Sequence, residues 1–175
     1  FEQLAGRSAG AGDLELTTEL LYRLGAAVGA GDYALSVRRL KRVARHQAEW
    51  FSRFDLLLTP TLALPPVHIG ELLPKGGERL AMLAATKLRA GRLFHKLGAL
   101  SQIAANAWSF IPFTAVWNAT GQPACSVPLH ESADGLPIGV QLVGRFGDEA
   151  TLFRLSSQLE QARPWFDRRP PRFAA

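Results

Sequence analysis

Apolar side chains set the first rhythm of the chain. Leu16, Leu20, Leu21, Leu24 and Val28 recur at helical spacing behind a Gly/Ala-rich start at 1–12, and Asp13 is placed to cap that helix. Gly25, Gly29 and Gly31 weaken and end it. Asp32 can cap a second, longer helix. One face of that helix carries Tyr33, Val37, Leu40, Val43, Ala44, Trp50 and Phe54, and the other Arg38, Arg42, Arg45, Glu49 and Arg53. Such a helix is expected to lay its stripe on something flat and apolar.

At Asp55 the period changes. Leu56-Leu57-Leu58-Thr59 is a short apolar run stopped by Pro60, the pattern of a fully buried strand in a parallel or mixed sheet. Residues 60–77, with Pro60, Pro65, Pro66 and Pro74, predict a long irregular loop. Residues 78–107 return to helical spacing, with Gly91 and Gly98 as breaks. Phe110–Asn118 is aromatic and apolar around Pro112, and Gly121-Gln122-Pro123 is a turn. Ala124–Leu129 predicts a second buried strand, Asp134-Gly135 a hairpin turn, and Ile138–Val143 the return strand, with Gly139 allowing close approach. Acids at Asp148 and Glu149 open a last helix, lined by Leu152, Leu155, Leu159 and Ala162 and stopped at Arg163-Pro164. Strands alternating with helices, plus one hairpin, indicate an α/β layer: a mixed β-sheet flanked by α-helices.

Length and composition narrow the class. At 175 residues the chain has room for one domain that buries a sizeable core, and 47% hydrophobic against 20% charged residues excludes a disordered chain. The net charge of +5 does not concentrate in a dense basic patch with interleaved aromatics, so neither nucleic acid nor a membrane is expected as a partner. No apolar run is long enough to span a bilayer, and the start has no signal-peptide pattern. The single Cys125 precludes an intrachain disulfide and favours a reducing compartment, so a cytoplasmic location is expected. The chain starts at Phe1 and its only Met is Met82, which suggests a piece of a longer protein.

The candidate chemistries each fall to a simpler explanation. Gly29-Ala30-Gly31-Asp32-Tyr33-Ala34 matches a dinucleotide-binding pattern, but a helix rather than a strand precedes it, so it is expected to be a helix–helix turn and no cofactor is assigned. His46, His68, His95 and His130 are not at metal-ligand spacing, and no metal is assigned. Cys125 and Ser126 lie inside a strand pattern and lack the exposed elbow of a nucleophile. The Arg38, Arg42, Arg45 and Arg53 face reads as solvated, with a non-catalytic anion-binding module as the alternative. No catalytic constellation is complete.

One stretch is more specific. Phe113-Thr114, then the run Asn118 to Pro128 (NATGQPACSVP), then Gly135 to Gly144 (GLPIGVQLVG), resemble the C-terminal region of amidase signature enzymes, and Asp55–Thr61 resembles a strand of that family. The resemblance implies amide hydrolysis by a serine nucleophile, a second serine with a cis peptide bond and a lysine base. A lysine made neutral by burial draws a proton through the bridging serine, and backbone N–H groups hold the oxyanion. The Gly-Gly-Ser-Ser-Gly stretch and its upstream lysine are absent here, and Lys41, Lys75, Lys87 and Lys96 fit neither role, so no catalytic residue is carried over. The resemblance therefore implies that 1–175 is the C-terminal part of a single amidase domain: a helical segment at 1–54, strands, pocket-bordering loop and last helix at 55–165, and a surface tail at 166–175. Its partners would be the missing N-terminal part and a small-molecule amide, and the parent is expected to act on linear amides while this chain alone is inactive.

The family stretch matched by Phe110–Asn118 borders the acyl pocket, which makes Phe110, Ile111, Phe113, Thr114, Trp117 and Asn118 candidate substrate-binding residues. Members that handle glutamine place an acid just before the Phe-Thr pair, where this chain has Ile111-Pro112. An apolar or extended amide is expected in preference to the alternative, a truncated A subunit of a tRNA-dependent glutamine amidotransferase.

Overall fold

The computed structural model describes residues 2–10, 12–88 and 91–168. In chain order the elements are α1 (Glu2–Ala5), α2 (Leu16–Ala26), α3 (Ala30–Phe51), β1 (Leu56–Pro60), α4 (Gly76–Lys87), α5 (Gly91–Lys96), α6 (Ala99–Phe110), α7 (Ala115–Thr120), β2 (Ala124–Glu131), β3 (Pro137–Gly144) and α8 (Glu149–Ala162). Two compact units emerge, residues 1–34 with 67–106, and residues 35–66 with 107–175.

The first unit is helical. Leu20 and Leu24 on α2 meet Ala85 on α4, with Met82, Phe94 and Ile103 packed around them. Asp13 does not cap α2, whose N-cap is Glu15 with no side-chain bond. Asp13 instead takes Arg7 Nη1 at 2.6 Å and the Gly10 N–H at 2.7 Å, because a guanidinium and a free amide within reach outcompete a helix start three residues away. These bonds, led by the one from Arg7, hold the Asp13 carboxyl down at about 2 against an ordinary 3.8. A carboxyl depressed on folding stabilises fully above its unfolded pKa and loses that contribution as pH falls through the folded value. The Asp13 13C carboxyl titration is therefore expected to have its midpoint near 2, and Arg7→Ala to move it back towards 3.8.

The second unit is built on the sheet β1-β3-β2. Both pairings are antiparallel, Leu57 opposite Val143 and Thr59 opposite Gln141 on one side of β3, Ala124 opposite Val143 and Ser126 opposite Gln141 on the other. The α/β class stands, while these three strands supply only antiparallel pairs. The hairpin falls where Asp134-Gly135 predicts it, with Gly135 at φ 75° in a loop closed by Ser132 N–H to the Leu136 carbonyl.

Alternation along these strands gives the sheet two faces. Leu56, Cys125, Val127, Val140 and Leu142 share one face with α8, whose Leu152, Leu155 and Leu159 cover it together with Trp165. Asp148 caps α8 by accepting from the Thr151 N–H and hydroxyl, which holds its carboxyl below the usual range. On the opposite face Val143 and Leu57 are covered by Phe51 and Trp117, whose rings meet edge-on at 6.3 Å, with Trp50 and Val116 beside them. Arg145 ties this corner by donating to the Phe51 carbonyl at the end of α3 and to Asp55.

Three expectations from hydrophobic patterning fail. Neither β1 nor β2 is fully buried: both are edge strands among the described residues, Leu58 stays 64% exposed, and Val127 is the buried position of β2. The α3 stripe also lacks its flat partner among the described residues. Tyr33, Leu40, Val43 and Phe54 are exposed, and only the Trp50–Phe51 end packs. From Arg169 onward the expected surface tail lies outside the described residues. Ahead of that point Arg168 reaches the Pro128 carbonyl and Glu131.

Candidate active-site wall

The second face of the sheet changes character along its length. Beyond Val143 the positions on β3 are Gln141 and Gly139, flanked by Thr59 and Thr61 on one side and Ser126 on the other. A Cβ at Gly139 would lie 2.5 Å from Ser126 Oγ and 2.7 Å from Thr61 Oγ1. The bare glycine is what lets those two hydroxyls meet at 2.6 Å across the strand. Thr61 also donates its N–H to the Gly139 carbonyl, which continues the ladder past β1.

Residues 110–118 are hung on this polar end. Ala63 N–H donates to the Phe110 carbonyl at 3.2 Å. Gln141 Nε2 donates to the Phe113 carbonyl at 2.9 Å and to Thr59 Oγ1 at 3.0 Å. The far end of the segment is held by Trp117, which is 6% exposed in the Phe51–Val143 cluster. Gly121 then ends α7 at φ 86°, donating to the Trp117 carbonyl, and turns the chain into β2.

The six candidate residues are thus split by the fold. Phe110, Ile111, Phe113 and Thr114 are half-buried in the turn between α6 and α7, Trp117 lies in the core, and Asn118 is exposed. Two concavities of about 360 and 380 Å³ open on this unit, around Phe51, Arg145 and Phe146 and around Asp55, Asp148 and Arg154, and residues 110–118 line neither. Sequence patterning missed Gln141 and Arg145. The available signal for Gln141 was a lone amide between Val140 and Leu142 in an otherwise apolar strand.

Gly29 ends the link between α2 and α3, and Ala30 to Ala34 already belong to α3, so Asp32 sits in its first turn rather than capping it, and a helix rather than a strand precedes the glycines. Cys125 faces α8, its sulfur 3.6 Å from Ser156 Oγ, and Ser126 is bonded to Thr61. Among the described residues no three His, Cys, Asp or Glu side chains converge as metal ligands, and no helix is long and apolar enough to cross a membrane.

Comparison with known proteins identifies the family. The chain is 32% identical over 169 residues to the 6-aminohexanoate-cyclic-dimer hydrolase of Paenarthrobacter ureafaciens, covering 96% of this chain and 31% of that protein. It is 35% identical over 130 residues to AmiC, a protein of Mycobacterium leprae (strain TN) classed with the amidases, covering 74% of this chain and 23% of that one. The solved structure of a 6-aminohexanoate cyclic dimer hydrolase superposes with a TM-score of 0.71 at 30% identity, over 97% of this chain and 32% of that chain. The chain thus spans between 23% and 32% of the length of these relatives. Residues 4–153 match the family model described as Amidase, and the chain belongs to the amidase signature family.

Proposed function

We propose that this chain is the C-terminal part of a cytoplasmic amidase that hydrolyses the C–N bond of an apolar or extended amide. The nucleophilic serine, the cis-linked serine and the lysine base then belong to the portion of the domain upstream of Phe1. Residues 110–114 contribute a pocket wall, and the sheet contributes its support.

The observation that carries the substrate class is the chemistry of that wall. Phe110, Ile111 and Phe113 stand on a tethered turn, and from Arg79 to His130 the chain has no Asp or Glu. The α-ammonium of glutamine would find no carboxylate in this wall, whereas hydrocarbon would be matched by hydrocarbon. The larger amidase is supported by what the chain leaves uncovered. Leu58 is 64% exposed on β1, an edge strand among the described residues, and Leu40 and Val43 of α3 are exposed beside polar neighbours. Apolar surface on an uncovered strand edge is what an adjoining layer of the same domain would bury.

The test is to express the polypeptide in which residues 1–175 occur naturally and to assay a linear hydrophobic amide, a cyclic amide and glutamine side by side. Turnover is expected to favour the linear hydrophobic amide over glutamine, with residues 1–175 alone inactive. Preference for glutamine would overturn the substrate class in favour of the amidotransferase alternative. Turnover by 1–175 alone would overturn the placement of the catalytic residues.

A further inference from the structure

We infer that Gln141 is a positioning residue that sets the place of the substrate-facing wall through the Phe113 carbonyl. This inference rests on the amidase assignment above. Gln141 lies in the middle of β3 and is only 4% exposed. Its same-face neighbour Val143 shows what stability alone selects at this depth, and a buried amide costs free energy unless its hydrogens are used. Both are used: one goes to Thr59 Oγ1 and one to the Phe113 carbonyl. A methionine of similar length would fill the same space with no polar group to satisfy. What it could not do is grip a main-chain carbonyl in a turn.

That turn is where a grip matters. Phe113 falls between the end of α6 at Phe110 and the start of α7 at Ala115, outside the hydrogen-bond ladder of either helix. Its backbone is held at two carbonyls three residues apart, Phe110 by the Ala63 N–H of the loop after β1 and Phe113 by Gln141 of β3. The side chains at 110, 111 and 113 project from this twice-pinned stretch. Release of the second pin would let the wall shift while the sheet and α8 stay intact. A wall contacts the non-reacting part of a substrate, so its displacement removes binding common to ground and transition states and raises KM more than it lowers kcat.

The experiment uses the polypeptide in which residues 1–175 occur naturally, with Gln141→Met, Gln141→Glu and Thr59→Val variants. Gln141→Met is expected to raise KM for an extended hydrophobic amide about tenfold with kcat within about twofold, and to move the Phe113 carbonyl 13C resonance. Thr59→Val, which removes the other bond and leaves the one to Phe113, is expected to shift KM and the Phe113 resonance less than Gln141→Met does. In Gln141→Glu an ionised carboxylate faces the Phe113 carbonyl and repels it, while the protonated acid regains a donor. Its KM is therefore expected to fall towards wild type on acidification, a pH dependence that loss of packing would not produce. That arm also decides the matter if the methionine variant fails to fold. An unmoved Phe113 resonance, an unchanged KM in Gln141→Met, or a Gln141→Glu KM without that pH dependence would overturn the inference alone. Absence of turnover in the wild-type polypeptide would overturn the amidase assignment, and the substrate-facing role with it.

Discussion

Trp117→Ala is expected to remove about 3–5 kcal/mol of stability, the range for deleting a large buried aromatic side chain. The indole fills the space between Phe51 and Val143, so its loss opens a cavity at the place where α3, α7 and the sheet converge. Trp117→Phe should cost far less, about 1 kcal/mol, because most of the volume stays. It also discards the indole N–H, which has no partner among the described residues. Urea unfolding followed by circular dichroism measures both. The pair of variants also separates two roles assigned to this residue. A core ring loses stability on truncation, whereas a pocket ring would lose substrate affinity and leave the unfolding midpoint in place. The 6% exposure of Trp117 favours the first.

Leu142→Ala is the second large expected effect, about 2–5 kcal/mol by the same unfolding measurement. Leu142 is 0% exposed at the centre of β3, between Leu58 on β1 and Cys125 on β2, beneath Leu152 of α8. Strands on both sides fix the backbone, so the site has little freedom to collapse on the void. Leu142→Met preserves the volume and is expected to stay within about 1.5 kcal/mol of wild type. Equal costs for the two variants would show that cavity formation is not what the position resists.

Much of this architecture was legible because local chemistry decides it. Gly98 at φ 78°, Gly121 at φ 86° and Gly135 at φ 75° mark turns that side-chain-bearing residues adopt at a cost, and the pattern placed breaks or turns at each. Asp148 before an apolar 3.6-residue repeat marked the start of α8, and the bare Gly139 marked a close approach. The failures share a different cause. A run such as Leu56–Leu58 shows that a surface is apolar and leaves open what covers it, so an edge strand and a central strand look alike. The α3 stripe was misjudged for the same reason. Asp13 was lost to competition, since nothing in local spacing places Arg7 beside it. Residues 110–118 were singled out through the family resemblance, but their fastening was not legible. Gln141 and Phe113 are 28 positions apart, and only the fold brings them within a hydrogen bond.

The fastening at Phe113 leaves the amino acid at that position free to change. Gln141 holds an oxygen that belongs to the main chain, which every replacement side chain would bring with it. Exchanging the phenyl ring for a smaller, larger or charged group would change what the segment displays without loosening the frame behind it. Here the backbone frame and the side chains it carries can diverge at separate rates, and under the proposed pocket role this corner is suited to acquiring new substrates by single codon changes.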